Sequence, residues 1–465
     1  MKTSYPLPNK NQRYALLIRS LCRGSAFLFL ASWLSLAVPL YAQTDSTLTY
    51  EQAVNIALRE NIQIQQQRNI LNATEAERDQ AYAQFLPNVY ASASGQRQTG
   101  RFVDDNTARV VDATTNLMSV GLNASLPLFS GFRNINQLRQ SRALTEAQFY
   151  QINSTKQLVV FNVSQQYLQV LLNQELLRIA QANLNQQEEL LTSVETFVEM
   201  GTQNIADQYN QEAETKRIAL TVVEAENQLA ISRAQLIRTL QIDPFEEWVF
   251  AEPNVQQSQL LTEVVDLETV FNQAVGQRPD LQQQQHLIGA NRYGVKAAQA
   301  DFYPTIEVGY TYGSRYSSND TFNVKESLTD INVTYGPFAT LYIPIFNNLR
   351  TRAVVQRQKQ ILNNAQLALE DLERSVLEQL QTAAADYRAA QQRIVAADAQ
   401  ARAAEKALEA EKERFRLGVG NILDLNRVNA AYVEAQANQV QANYTLIFQK
   451  TALDYYTGTL EPKQF

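Results

Sequence analysis

Cysteine is almost absent from this chain. The single one, Cys22, precedes the apolar run Ala26–Leu40, and none follows it. The chain therefore makes no disulfide of its own, and its stability has to come from packing. A lipid-carrying cysteine would follow the apolar run, so lipidation is not expected. Histidine is equally scarce. His286, in Gln-Gln-Gln-Gln-His, is read as a solvated surface residue, and alone it cannot build a multi-histidine metal site. No metal and no cofactor is expected. Beyond Leu40 no apolar stretch approaches ~18 residues, so a membrane crossing there would have to use strands. Positive charge is short as well. After residue 42 the chain carries 47 acidic against 35 basic residues, a net charge of −12, which argues against nucleic acid as a partner. No phosphate-binding loop and no nucleophile–base pair stands out, so the chain is not read as an enzyme and cannot itself power transport.

What is present begins with a secretory signal over residues 1–42. Lys2, Lys10, Arg13, Arg19 and Arg23 form a basic front with no acid among them, and the apolar run that follows ends at Leu40-Tyr41-Ala42.

The rest is written twice, at a fixed offset of 217 positions. Pro87 recurs as Pro304, Leu126–Phe129 (Leu-Pro-Leu-Phe) as Ile343–Phe346 (Ile-Pro-Ile-Phe), and Arg133 as Arg350. Gly201, Asn204, Ile205 and Asp207 recur as Gly418, Asn421, Ile422 and Asp424, and Asn55 and Ala57 as Asn272 and Ala274. So long a period means one duplicated module rather than a solenoid. The reading is a first repeat over 43–241, an equatorial linker over 242–265 and a second repeat over 266–465.

Each repeat reads helix, strand, loop, strand, very long helix, turn, helix. Thr49 to about Gln84 is helical in composition and ends before Pro87. Strands follow at roughly Asn88–Phe102 and Asn116–Phe129. In the second strand Met118, Val120, Leu122, Ala124, Leu126 and Leu128 alternate with small or polar residues. In the second repeat Ile306, Val308, Tyr310 and Tyr312 alternate likewise, as do Ile331, Val333 and Tyr335. The loops between strands are expected at Arg97–Thr115, with Asp104 and Asp105, and at Ser317–Ser327, with Asn319 and Asp320. Long helices are expected from about Arg133 to Val198 and from about Arg350 to Phe415. Their apolar positions fall every seven residues: Val163, Val170, Leu177, Leu184, Leu191 and Val198, then Leu380, Tyr387, Ile394, Ala401, Leu408 and Phe415. That spacing points to coiled-coil packing. Gly201 and Gly418 end the long helices, and Asn204 and Asn421 cap returning helices that run to about Gln241 and Tyr456. The long helix should span about 100 Å. The first return helix and the helix that opens the second repeat, Asp266 to about Ala300, would match that length if stacked end to end.

The order of elements, the duplication, two motif pairs and a tip motif resemble the TolC family of outer-membrane efflux proteins over essentially the whole chain after the signal. The motifs are Phe85-Leu86-Pro87 with Phe302-Tyr303-Pro304, the two strand endings, and the tip Arg416–Leu425. The resemblance implies an α+β membrane protein in which long antiparallel coiled-coil helices form a trimeric tube. That tube continues into a 12-strand β-barrel, four strands per chain, in outer-membrane lipid. It also implies a homotrimer that docks a periplasmic adaptor and an inner-membrane transporter as the channel of a tripartite efflux or secretion system. From the residues alone, four strands with open edges cannot sit alone in lipid, so the chain would have to oligomerise, and three copies would supply twelve strands.

The family closes its tube at the helix tips with inward acids and interhelix polar links. The matching residues are Asp207 and Asp424, and six such carboxylates in a trimer would form an aperture ring. Both aspartates also stand three residues after an N-cap asparagine, where capping and the helix dipole explain them without a gate. Where well-known members carry a second aspartate, this chain has Arg427, either a solvated helix arginine or a latch on Asp424 or a neighbouring chain. Gly201, Asn204, Gly418 and Asn421 mark the expected adaptor-docking tips. The alternative for the whole chain is a secreted or periplasmic coiled-coil structural protein.

Overall fold

Thr49 sets the first helix in place. Its hydroxyl accepts the Gln52 N–H at 3.3 Å, and the Gln52 side-chain oxygen accepts the Thr49 N–H at 2.9 Å, a reciprocal capping box. The computed structural model describes residues 46–104, 108–252 and 257–460; the expected signal over 1–42, Asp105 and Pro253 lie outside them. In chain order come β1 (Ser46–Leu48), α1 (Tyr50–Glu60), α2 (Ile62–Ala83), β2 (Asn88–Asp104), β3 (Arg109–Ser130), α3 (Arg133–Glu199) and α4 (Ile205–Leu240). Then follow β4 (Trp248–Phe250), α5 (Gln257–Thr262), α6 (Leu267–Gln277), α7 (Pro279–Gln299), β5 (Thr305–Ser317), α8 (Val324–Glu326), β6 (Val333–Tyr342), α9 (Arg350–Arg416) and α10 (Ile422–Thr457).

The opening helix of each half is broken, where the sequence pointed to one continuous helix. At Asn61 ψ swings to 129°, its side-chain oxygen accepts the Gln63 N–H at 2.9 Å, and its amide donates to the Thr239 carbonyl at 3.2 Å. Asparagine offers the backbone this alternative to helix. The second break is at Arg278, 217 positions on, where Pro279 keeps the preceding residue out of the helical region.

These breaks also decide how the helices stack. The Arg278 guanidinium donates to the Tyr456 carbonyl at 3.1 Å, just as Asn61 donates to Thr239. Each return helix, α4 or α10, therefore ends against the opening helices of its own half. The expected stacking of α4 on the opening helix of the second half is replaced by this arrangement. The cause is that the chain crosses between halves through the linker, not through a helix end.

The four strands β2-β3-β5-β6 form one antiparallel sheet. Period-two geometry divides it into two faces. One presents Val89, Met118, Leu122, Tyr310, Tyr312, Tyr335 and Leu341, all exposed. The other presents Ser94, Gln96, Gln98, Asn123, Ser119, Thr311 and Arg315. β2 and β6 have one unpaired edge each among the described residues. β2 and β3 run further than expected: most of Arg97–Thr115 is ladder, with Val103 opposite Val110 and the Thr99 and Thr114 hydroxyls 3.0 Å apart, whereas Ile331, read with Val333 and Tyr335 as strand, lies in the helical turn Ser327–Ile331 before β6. β-branched residues hold that extension despite its polar composition.

Strand turns into helix through two consecutive left-handed residues, Gly131 (φ 62°) and Phe132 (φ 69°), and again through Asn348 (φ 54°) and Leu349 (φ 61°). An Arg133–Asp301 ion pair fixes the first corner to the turn after α7. From there α3 and α9 each run 67 residues. On α9 five of the six seven-spaced residues, Leu380 to Leu408, are buried; on α3 only Val163 and Val170 are. The lower seam of α3 is thus half-covered within one chain.

The largest core surrounds β1 and β4, which pair in parallel. Tyr167, fully buried, places its hydroxyl 2.9 Å from the Leu48 carbonyl and 2.6 Å from that of Ala251, so it ties both strands to α3. Tyr387 does the same for the linker, donating to the Leu260 carbonyl at 2.7 Å. Burial raises both phenols above the usual tyrosine range. His286 departs from its expected place in solvent: it is half-buried and stacks on Tyr150 at 5.1 Å where α7 meets α3.

Candidate gate and docking site at the helix tips

Both long helices end in the same way. Gly201 and Gly418 take φ of +75°. The Gly201 N–H donates to Val198 and the Thr202 N–H to Phe197, each at 2.9 Å. In the other tip Gly418 donates to Phe415 and Val419 to Arg414, each at 3.0 Å. These are Schellman caps, and the positive φ is why glycine stands there. Both glycines are exposed, with no atom near where a Cβ would be.

The return helices are capped by Asn204 and Asn421, but not identically. The Asn204 oxygen accepts the Ala206 N–H at 3.1 Å. The Asn421 oxygen accepts the Asp424 N–H at 2.7 Å, and its amide donates to the Asp424 carboxylate at 2.9 Å. Arg427 approaches that carboxylate at 3.8 Å, with 78% and 46% of the two side chains exposed. An exposed pair at that distance contributes little to stability, about 0–1 kcal/mol. The second tip therefore brings Asn421, Asp424 and Arg427 together. Asp207, half-buried, makes no side-chain hydrogen bond or ion pair among the described residues, and nothing bonds it to that cluster.

Above the tips the two hairpins are joined. Val194, Leu408, Ile422 and Leu425 form a small buried cluster, with Val198 and Phe415 against it. Behind it lies a polar ladder. Gln211, fully buried, donates to the Gln187 side chain at 2.6 Å and accepts from Asn426 at 2.9 Å. Asn429 donates to Asn183 at 2.8 Å. The Gln211–Asn426 and Asn429–Asn183 bonds connect one hairpin to the other. Sequence reading passed over these residues. The available signal was Gln187, three positions after the seven-spaced Leu184, a polar residue on the second apolar stripe of a coiled coil.

Three comparisons bear on identity. A protein-family model described as outer membrane efflux protein matches the chain twice, over residues 53–240 and 270–459. The chain belongs to the outer membrane efflux protein family. Its compartment is the outer membrane and its role is efflux, as a TolC-like channel. The efflux protein is 25% identical over 348 residues to the cation efflux system protein CusC of Escherichia coli O157:H7, covering 72% of this chain and 69% of CusC. It is 22% identical over 350 residues to the outer membrane protein TolC of Vibrio cholerae serotype O1, covering 74% of this chain and 78% of TolC. The crystal structure of the Campylobacter jejuni CmeC outer membrane channel superposes with a TM-score of 0.76 at 17% identity, covering 90% of this chain and 87% of CmeC. Members of the family are channels rather than enzymes.

Proposed function

We propose that three copies of this chain form a passive duct across the outer membrane and the periplasm, the channel component of a tripartite efflux or secretion system. The observation that carries this reading is the sheet. It has an apolar face, a polar face and two unpaired edges, and it stands on helices of 67 residues, about 100 Å long. An apolar outer face suits lipid, a polar inner face suits water, and open edges require neighbours. Three copies give twelve strands and close them. In this reading residues 1–42 are the secretory signal, 43–241 and 266–465 the repeats, and 242–265 the equatorial linker. An adaptor docks at the tips around Gly201, Asn204, Gly418 and Asn421, with an inner-membrane transporter behind it.

Asp207 and Asp424 line the closed aperture, with Asn421 holding the Asp424 carboxylate and Arg427 beside it as a latch. Opening has to separate the hairpins, which means parting Gln211 from Asn426 and Asn429 from Asn183. The test is single-channel conductance of the purified mature protein, wild type beside Asp424→Asn. Small cation-sensitive steps that change in the variant support the tip aperture. Steps unchanged in size and ion dependence leave Asp424 as a cap only. Absence of the protein from outer-membrane fractions would favour the coiled-coil structural alternative.

A further inference from the structure

The polar face of the sheet is not open along its whole length. Beyond Ser317 the chain turns back over it. The Ser318 N–H extends the ladder to the Asn116 carbonyl at 2.9 Å, and the Ser318 hydroxyl accepts the Asn116 N–H at 2.9 Å. Asn319 then reaches across and donates to the Thr115 hydroxyl at 2.9 Å, leaving Thr115 only 3% exposed. Asp320 accepts from the Ser317 N–H at 3.2 Å and the Asn332 amide at 3.3 Å, so both ends of the segment are held. Five hydrogen bonds thus pin this strap to strand residues, to Asn332 or to itself.

Beneath the strap is a cavity of about 480 Å³. Its floor is the polar face: Ser94, Gln96 and Gln98 of β2, Ser119 of β3 and Arg315 of β5. Arg315 lies directly opposite Ser119 in the ladder, is exposed, and makes no hydrogen bond or ion pair among the described residues. The other charged residue lining the cavity, Asp320, accepts from the Ser317 N–H and the Asn332 side-chain amide. The cation therefore faces the cavity while the anion is engaged in holding the strap.

We propose that this strap and Arg315 form a second constriction, at the end of the duct away from the helix tips, which favours small anionic solutes over cationic ones. The inference rests on the barrel reading, in which the polar face lines the lumen. Three copies then bring three unpaired guanidinium groups to one level of the pore. A ring of arginine side chains in a narrow, walled passage raises the local concentration of anions, as charged rings do in selective pores. The sign is opposite to that of the carboxylates at the tips, so the two ends of the duct would sort solutes differently.

The test uses the scarcity of cysteine. In a Cys22→Ser background, Asn123→Cys places one thiol on the polar face, deeper than the strap, and Leu122→Cys places one at the same depth on the apolar face. Membrane-impermeant thiosulfonates, one anionic and one cationic, are added outside intact cells, and modification is read as a mass shift. We expect the anionic reagent to modify Asn123→Cys about tenfold faster at low ionic strength. Arg315→Gln should remove that bias, as should raised salt. Asn319→Ala should admit a bulky polyethylene-glycol maleimide that the parent excludes. Equal rates for both charges, unchanged by Arg315→Gln, would overturn the charge selection, and equal access of the bulky reagent with and without Asn319 would overturn the strap. If Leu122→Cys reacts and Asn123→Cys does not, the barrel reading itself fails, a result distinct from the other two.

Discussion

Phe132 and Leu349 carry backbone strain that glycine would not. Each sits in the left-handed region just before a 67-residue helix, at φ of 69° and 61°. Leu349→Gly should relieve about 1 kcal/mol and raise the unfolding temperature in detergent by a few degrees. Gly131→Ala should lower it, because the new methyl would run into the Ala300 carbonyl. Buried tyrosines give a pH dependence with a definite sign. Burial pushes the Tyr50 phenol up to about 12, against the pull of its hydrogen bond to Ser164, and Tyr444 is pushed up to about 12 by burial and by Glu252 and Glu175. Below pH 10 these phenols are protonated in both folded and unfolded chains, so they contribute no slope. Above it the unfolded chain ionises first and the folded chain is penalised. Stability should hold to about pH 10 and then fall, with Tyr50 alone costing on the order of 2–3 kcal/mol by pH 12. A Tyr50→Phe variant should show a shallower alkaline decline in equilibrium unfolding. At this scale the sequence was legible where one residue type has one physical use, as with Gly201, Gly418, Asn204 and Asn421. It was not legible at Phe132 and Leu349, because nothing in either side chain announces a left-handed backbone.

Between elements, the polar ladder is the feature to perturb. Gln211→Leu would leave the Gln187 side-chain oxygen and the Asn426 amide without their buried partner. The expected cost is about 1–3 kcal/mol in chemical denaturation. Asn426→Ala removes one of the two hydrogen bonds described between the hairpins. It should cost less, yet raise the open-channel frequency in a planar bilayer, since that bond is one of those that hold the tips together. A variant with unchanged opening would show that the apolar cluster of Val194, Leu408, Ile422 and Leu425 does the holding. The long helices, the tips and the alternation of the strands could be read from periodicity, because each repeats a pattern many times. The breaks at Asn61 and Arg278 could not, since a single residue decides each; Pro279 was the one available sign, and Asn61 had none. The loop Arg97–Thr115 failed for a related reason: its polarity suggested solvent, while Thr99, Val103, Val110 and Thr114 were already the residues of a hairpin.

For the whole molecule, the 217-residue offset predicts how copies meet. In the chain, β3 pairs with β5 so that Gly121 faces Gly313 and Ser119 faces Arg315. Shifted by one repeat, the same seam pairs β6 with β2 of a neighbouring copy, placing Phe338 opposite Gln96 and Gly336 opposite Gln98. Phe338→Cys with Gln96→Cys should therefore form a disulfide-linked trimer under mild oxidation, and Phe338→Cys with Tyr90→Cys should not. Efficient crosslinking of the second pair alone would overturn this register. The height at which Asn61 meets Thr239 and Arg278 meets Tyr456 has a mechanical consequence. Two of the four columns in each chain are interrupted there, joined by these hydrogen bonds and by side-chain packing, while α3 and α9 pass through uncut. In the proposed assembly, torque applied at the tips by a docking partner would slip the cut columns at this waist, while the uncut ones would have to bend. In the proposed duct the barrel would thereby be spared most of the twist, so the lower rod would unwind while the barrel stayed still.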